Sequence, residues 1–263
     1  MPAVDLELTG RRAVVTGGSR GIGLAAARSL AAEGVDVALV ARGEDALRQA
    51  AQDVANESGR RVIWAIADTG DDASVTAMAA SVTAQLGGID ILVNAAATPA
   101  TGAPFTDDDL EREINVKVRG YLRCARAVAP QMAERGWGRI VNISGLAARQ
   151  TGSIVGSVRN VAVVAMTKNL ADELGSQGIN VTVVHPGMTI TERTPEAMEA
   201  MAAARGTSVE QLEHRLDSAV SIGRRPTAEE VAAVVTFLAS PKSIALNGDA
   251  VVASGGARGS IHY

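Results

Sequence analysis

Near the start of the chain, three glycines are spaced to bind phosphate. Arg12-Ala13-Val14-Val15-Thr16 is a short β-branched run, Gly17-Gly18-Ser19-Arg20-Gly21-Ile22-Gly23 follows it, and Leu24 to Gly34 is alanine-rich and helix-prone. A strand that turns through glycines into a helix N-terminus leaves backbone N–H groups unpaired and lets a ligand approach them closely. The helix dipole adds partial positive charge there, so the element suits a pyrophosphate. Gly17, Gly21 and Gly23 read G-x-x-x-G-x-G, a variant of the dinucleotide fingerprint with a wider first spacing. A glycine-rich loop also serves as a plain packing turn, so the elements around it must decide.

Those elements alternate. Val35 to Ala41 reads as a second strand, Glu44 to Glu57 as a helix, and Arg61 to Ala67 as a third strand. Asp71 or Asp72 is placed to cap a helix running to Leu86. Ile89 to Asn94 is a fourth strand, and a long helix spans Asp107 to Arg135. Gly138 to Ser144 is a fifth strand, Gly156 to Leu174 a helix, and Ile179 to Val184 a sixth strand. Glu229 to Leu238 is the last helix and Asp249 to Gly256 the last strand and turn. Strands apolar on both faces, separated by helices, predict a parallel sheet covered on both sides. The expectation is α/β: a single Rossmann-type doubly wound domain, residues 1–263, of about seven strands. Residues 188–225, rich in Met, Ala, Glu and Arg, interrupt the alternation before the last elements. A helical insertion there covers the C-terminal ends of the strands, so it reads as a lid; packing against a neighbouring subunit is the alternative.

Composition narrows the function classes. The 263 residues suffice for a sizeable core, and with Phe, Trp and Tyr at only 2% that core must be aliphatic. Net charge is −4 with no Lys/Arg block, which argues against nucleic acid or an anionic membrane as partner. A single cysteine, Cys124, excludes an intramolecular disulfide and a cysteine-rich metal cluster. Met1 to Gly10 carries Asp5 and Glu7 and no apolar h-region, and no apolar run reaches about 18 residues. A soluble cytoplasmic protein acting on a small molecule is expected.

Six landmarks stand in one order: Thr16 to Gly23, Asp68, Asn94-Ala95-Ala96-Ala97, Asn115, Pro186-Gly187, and Asn247-Gly248 with Gly255-Gly256. Over roughly Leu8 to Gly256 the chain resembles the short-chain dehydrogenase/reductase family. The resemblance implies a bound NAD or NADP and a homodimer or homotetramer. It implies that Gly17, Ser19, Arg20, Gly21, Ile22 and Gly23 hold the pyrophosphate, that Asp68 meets the adenine edge, and that Asn94 lies on the adenosine side. Pro186, Gly187, Thr189 and Thr191 fall in the segment that holds the nicotinamide carboxamide. The end of the second strand chooses between cofactors: a carboxylate there repels a 2′-phosphate, but this chain has Ala41-Arg42. Arg42 and Arg20 favour NADP(H) over NAD(H). His185 reads as a strand-end residue.

For carbonyl reduction, the resemblance implies a Ser, a Tyr and a Lys four residues after the Tyr, supported by an Asn. The Tyr hydroxyl gives its proton to the forming alkoxide, and the Lys lowers the Tyr pKa and holds the ribose. Asn115 retains its position. The run Ala162-Val163-Val164-Ala165-Met166-Thr167-Lys168-Asn169-Leu170-Ala171 sets the register, placing the Tyr position on Gly156 and the Lys position on Asn160. In Asn142-Ile143-Ser144-Gly145 the Ser position falls on Gly145, and no Tyr occurs between Tyr121 and Tyr263. Asn160 retains the capacity to bond a ribose hydroxyl. Arg159 shares the helix face of 156 and 160, but a guanidinium stays protonated. Ser144, Ser153, Ser157, Arg149 and Gln150 have no evident activating partner. Three functions fit: an atypical NADP-dependent oxidoreductase, a non-redox lyase or isomerase, and a cofactor-binding pseudoenzyme.

Overall fold

Val14 of the first strand and its neighbours on either side in sequence, Ala13 and Val15, are all fully buried, but against different layers. In a strand, successive side chains leave opposite faces, so this placement requires cover on both sides of the sheet. The computed structural model describes residues 5–97 and 106–258, which leaves Met1 to Val4 and Tyr263 outside the described residues.

The strands are β1 (Arg12–Thr16), β2 (Asp36–Ala41), β3 (Val62–Ile66), β4 (Ile91–Asn94), β5 (Gly138–Ile143), β6 (Ile179–Pro186) and β7 (Ala250–Ala253). They form one parallel sheet in the order β3-β2-β1-β4-β5-β6-β7. The order reverses between β1 and β4, where Thr16 pairs with Asn94 on one side and Val40 on the other. An open α/β sheet places its ligand crevice at such a reversal, beyond the strand C-termini.

One face is covered by α1 (Gly21–Ala32), α2 (Glu44–Ser58) and α9 (Ala228–Leu238), the other by α3 (Asp72–Leu86), α5 (Gly120–Glu134) and α6 (Ile154–Leu174). Ala13, Val15, Leu39, Ile91 and Val93 face the first layer; Val14, Ala38, Val40, Leu92 and Ile140 face the second. The core is aliphatic, as the composition requires. Between α6 and α9 come β6, α7 (Thr194–Arg205) and α8 (Val209–Ser218). These last two helices are the residue 188–225 insertion, and they bury their own cluster of Met198, Ala202 and Leu212.

The predicted elements recur with small shifts: β6 runs on to Pro186, and β4 begins at Ile91. The Asp90 carboxylate just before β4 is clamped by Arg12, whose Nε and Nη2 each donate at 2.8 Å. Asp71 caps α3 by accepting from the Ser74 N–H. The larger departure is in the long helix expected over Asp107 to Arg135. It is built of α4 (Asp107–Glu113), a π-helical stretch at Ile114–Arg119, and α5. A π turn takes in an extra residue, which re-aims the side chains beyond it; such turns recur at functional sites.

Candidate active site

At the sheet reversal lies a cleft of about 500 Å³. Its walls come from the glycine loop (Gly17, Ser19, Arg20, Ile22, Gly23), the end of β2 (Arg42) and the start of the loop after β3 (Asp68). Ala95 to Ala97, Lys117, Ser144, Pro186 and Thr191 complete it.

The glycine loop is shaped by close approach. Gly17 has φ of +67°, and a Cβ there would fall 2.8 Å from the Ala95 carbonyl carbon. A Cβ on Gly23 would fall 2.3 Å from the Gly17 oxygen, so only glycine lets α1 start against the loop. Arg20 occupies the N-cap of α1 in extended conformation and makes no side-chain cap hydrogen bond. The N-cap side chain therefore satisfies none of the first-turn amides, and they suit an anion. One of them, Gly21 N–H, donates to the carboxylate of Glu192 at 3.0 and 3.2 Å. With Arg20 and Arg42 both lining the cleft and no carboxylate at the end of β2, the donor set fits a phosphate-bearing dinucleotide.

Several residues expected at the site stand behind its wall. Asn94 is fully buried, donating to Asn142 Oδ1 at 2.9 Å and to the Tyr121 carbonyl at 3.4 Å. It ties β4 to β5 and α5. Asn115 donates through Nδ2 to the Gly70 carbonyl at 3.1 Å, and its own carbonyl accepts from Arg123. Thr189 donates to the Gly187 carbonyl, 3.1 Å away. Gly21 borders a smaller hollow with Glu192, Thr227 and Arg28. His185 is buried on β6.

Positions 145, 156 and 160 come together at the β5–α6 junction. A Cβ on Gly145 would lie 3.2 Å from Asn160 Nδ2, and one on Gly156 would lie 3.0 Å from Ser153 Oγ. Ser153 caps α6 by accepting from the Gly156 N–H, and Ser157 Oγ donates to the Gln150 carbonyl. Asn160 is buried. Ser144 Oγ donates to its carbonyl at 3.1 Å, and its Oδ1 has no hydrogen-bond partner among the described residues. Arg159 is not among the residues lining the cleft and forms an ion pair with Glu113 of α4.

One group was missed in the sequence. Lys117, in the π-helical stretch, is only 4% exposed and donates from Nζ to the Ser144 carbonyl at 3.0 Å. Burial disfavours its charged form and lowers its pKa to about 8. Tyr121, four residues on, also borders the cleft, but its hydroxyl donates to the Ile143 carbonyl at 3.0 Å. Burial raises the pKa of that phenol. The available signal was scarcity: the chain has three lysines, and the other two, Lys168 and Lys242, sit in exposed ion pairs.

Comparison with known proteins identifies the family. The short chain dehydrogenase profile matches residues 11–202. Short-chain reductase protein NovJ of Streptomyces niveus is 35% identical over 248 residues, covering 93% of this chain and 92% of its own. L-sorbose reductase of Gluconobacter frateurii, solved with NADPH and L-sorbose, superposes with a TM-score of 0.92 at 30% identity, covering 98% of this chain and 100% of the other. A xylitol dehydrogenase solved with NAD⁺ gives 0.89 at 26% identity, covering 95% of this chain and 100% of the other. The chain belongs to the short-chain dehydrogenase family. Among the described residues no helix is long and apolar enough to cross a membrane.

Proposed function

We propose that this protein is a nicotinamide-dependent oxidoreductase acting on a small organic carbonyl or related acceptor. The observation that carries this reading is the cleft at the β1–β4 reversal, where an α1 N-terminus without a side-chain cap meets Arg20 and Arg42. The L-sorbose reductase and NovJ likenesses support a reductase. Bound there, the reduced cofactor supplies a hydride. Gly17, Ser19, Ile22 and Gly23 seat the pyrophosphate, Asp68 lies beside the adenosine, and Pro186 and Thr191 flank the nicotinamide end. Arg20 and Arg42 select NADP(H) over NAD(H), through charge-assisted contacts to a 2′-phosphate. We also propose that the protein is a cytoplasmic homodimer or homotetramer, and that residues 188–225 close over the bound substrate.

The proton does not come from the usual relay. Positions 145, 156 and 160 carry Gly, Gly and Asn, none of which donates a labile proton of suitable pKa. General acid catalysis contributes ~10²–10⁴-fold, so acceptors that need little protonation, such as enones and iminium ions, are favoured over simple ketones. The test follows NADPH absorbance across ketones, enones and imines; oxidation by none of them would reject the proposal. The substitutions at 145, 156 and 160 also favour a second reading, a non-redox enzyme or a cofactor-holding pseudoenzyme. Turnover without reduced cofactor supports the former, and NADPH-induced thermal stabilisation without any turnover supports the latter.

A further inference from the structure

Building on the reductase reading, we propose that Lys117 is the proton donor of this cleft and the cation facing the bound substrate oxygen, in place of the absent residues at 156 and 160. Three observations place it there. Lys117 lines the cleft together with Ser144 and Pro186. An ammonium carries three N–H donors, and the Ser144 carbonyl takes one at 3.0 Å. That same Ser144 is bonded through its hydroxyl to Asn160, so Lys117 Nζ lies one residue removed from the empty family position.

The surrounding groups fit an acid. Glu113 and Tyr121 lie four residues to either side on the same helical run, and Arg159 reaches in from α6 to hold Glu113. From β5 and the loop after it, the Ser144 carbonyl accepts from Lys117 and the Ile143 carbonyl from Tyr121. Tyr121, which also borders the cleft, is committed to Ile143, and burial moves its pKa away from neutrality. Burial moves that of Lys117 towards it, to about 8. A general acid works best when its pKa lies near the working pH.

The step balances. The substrate carbon gains a hydride from the reduced cofactor, the carbonyl oxygen gains a proton from Lys117 Nζ, and water reprotonates the neutral amine. One hydride and one proton are added across C=O.

Lysine labelled with ¹³C at Cε gives three resonances in the full-length protein, one for each lysine. One of them should vanish in Lys117→Gln, titrate well below the two surface lysines, and shift when NADP⁺ is added. Steady-state rates with NADPH and 2,3-butanedione or cyclohexenone should fall about 100-fold or more in Lys117→Gln. The alkaline limb near pH 8 should disappear with it. Lys117→Arg keeps a cation but cannot release its proton at this pH. It should bind NADPH with unaltered affinity yet remain as slow as Lys117→Gln; recovery of the rate in this variant would overturn proton donation. Melting curves and NADPH fluorescence titrations show whether each variant is folded. A Lys117 resonance that titrates with the surface lysines and ignores NADP⁺ overturns the proposal outright. A silent acceptor panel with a shifted resonance overturns the reductase reading and the proton step together.

Discussion

Glu113 of α4 and Arg159 of α6 form an ion pair across the helix contact behind the cleft, the carboxylate only 1% and the guanidinium 14% exposed. Removing one partner of such a pair strands the other charge out of water. Arg159→Met should therefore destabilise the protein by about 3 kcal/mol. Replacing both residues, as Glu113→Leu with Arg159→Met, should recover most of that loss. Urea unfolding of the two single variants and the double variant measures the coupling; equal losses in the single and double variants would contradict it.

The proposed preference for NADP(H) rests on Arg42. Arg42→Asp places a carboxylate where β2 ends, which repels a 2′-phosphate and accepts from ribose hydroxyls. The NADPH dissociation constant should rise at least about tenfold, the range set by losing one charge-assisted contact of 1.5–3 kcal/mol. NADH affinity should hold or improve. Fluorescence titration with both cofactors reads the outcome, and an unchanged NADPH affinity would remove Arg42 from the site.

Glycine is required at 23 and dispensable at 43. A methyl at Gly23 would sit 2.3 Å from the Gly17 carbonyl oxygen, while one at Gly43 meets nothing within 4 Å. Gly23→Ala should abolish cofactor binding and lower the melting temperature. Gly43→Ala, at the N-cap of α2, should leave cofactor binding nearly unchanged and cost about 1 kcal/mol of stability. NADPH-induced thermal shifts of the pair make the comparison.

Lys117 should carry a stability penalty with a defined pH window. Its folded pKa of about 8 lies below the unfolded value near 10.5, so between those values the unfolded chain binds more protons. Stability from this group therefore rises with pH through the window and is lowest below pH 8. Lys117→Met should stabilise the protein at neutral pH by a few kcal/mol, on the order of 3 from the size of that shift. The gap should close towards pH 10.5. Urea midpoints of both proteins across pH 7–10.5 test this, and a gap independent of pH would contradict it.

Much of the frame was written in local pattern. The β-branched runs, the Asp71 cap and the Gly17-Gly21-Gly23 spacing each act over a few residues, and they specified the sheet, α3 and the phosphate loop. What escaped depends on contacts between distant segments. Nothing local in Asp107 to Arg135 distinguishes a π turn at 114–119 from continuous helix, yet that turn aims Lys117 at the cleft. Arg159 was expected on the helix face of 156 and 160, but the buried carboxylate that pairs with it is 46 residues away in sequence. Asn94 was expected at the ligand, and its neighbours Ala95 to Ala97 line the cleft instead, because the amide is drawn inward to Asn142.

The insertion of α7 and α8 rests on Met198, Ala202 and Leu212, with Arg225 held by Glu213 and Asp217. Its two ends are stitched down, Ile190 to Pro226 and Ser221 to Gly256. An appendage that carries its own filling and is sewn at both margins can be recast residue by residue without disturbing the platform beneath. Under the proposed lid role, selectivity for new molecules drifts in α7 and α8 while Thr191 and the rest of the dinucleotide seat stay as they are.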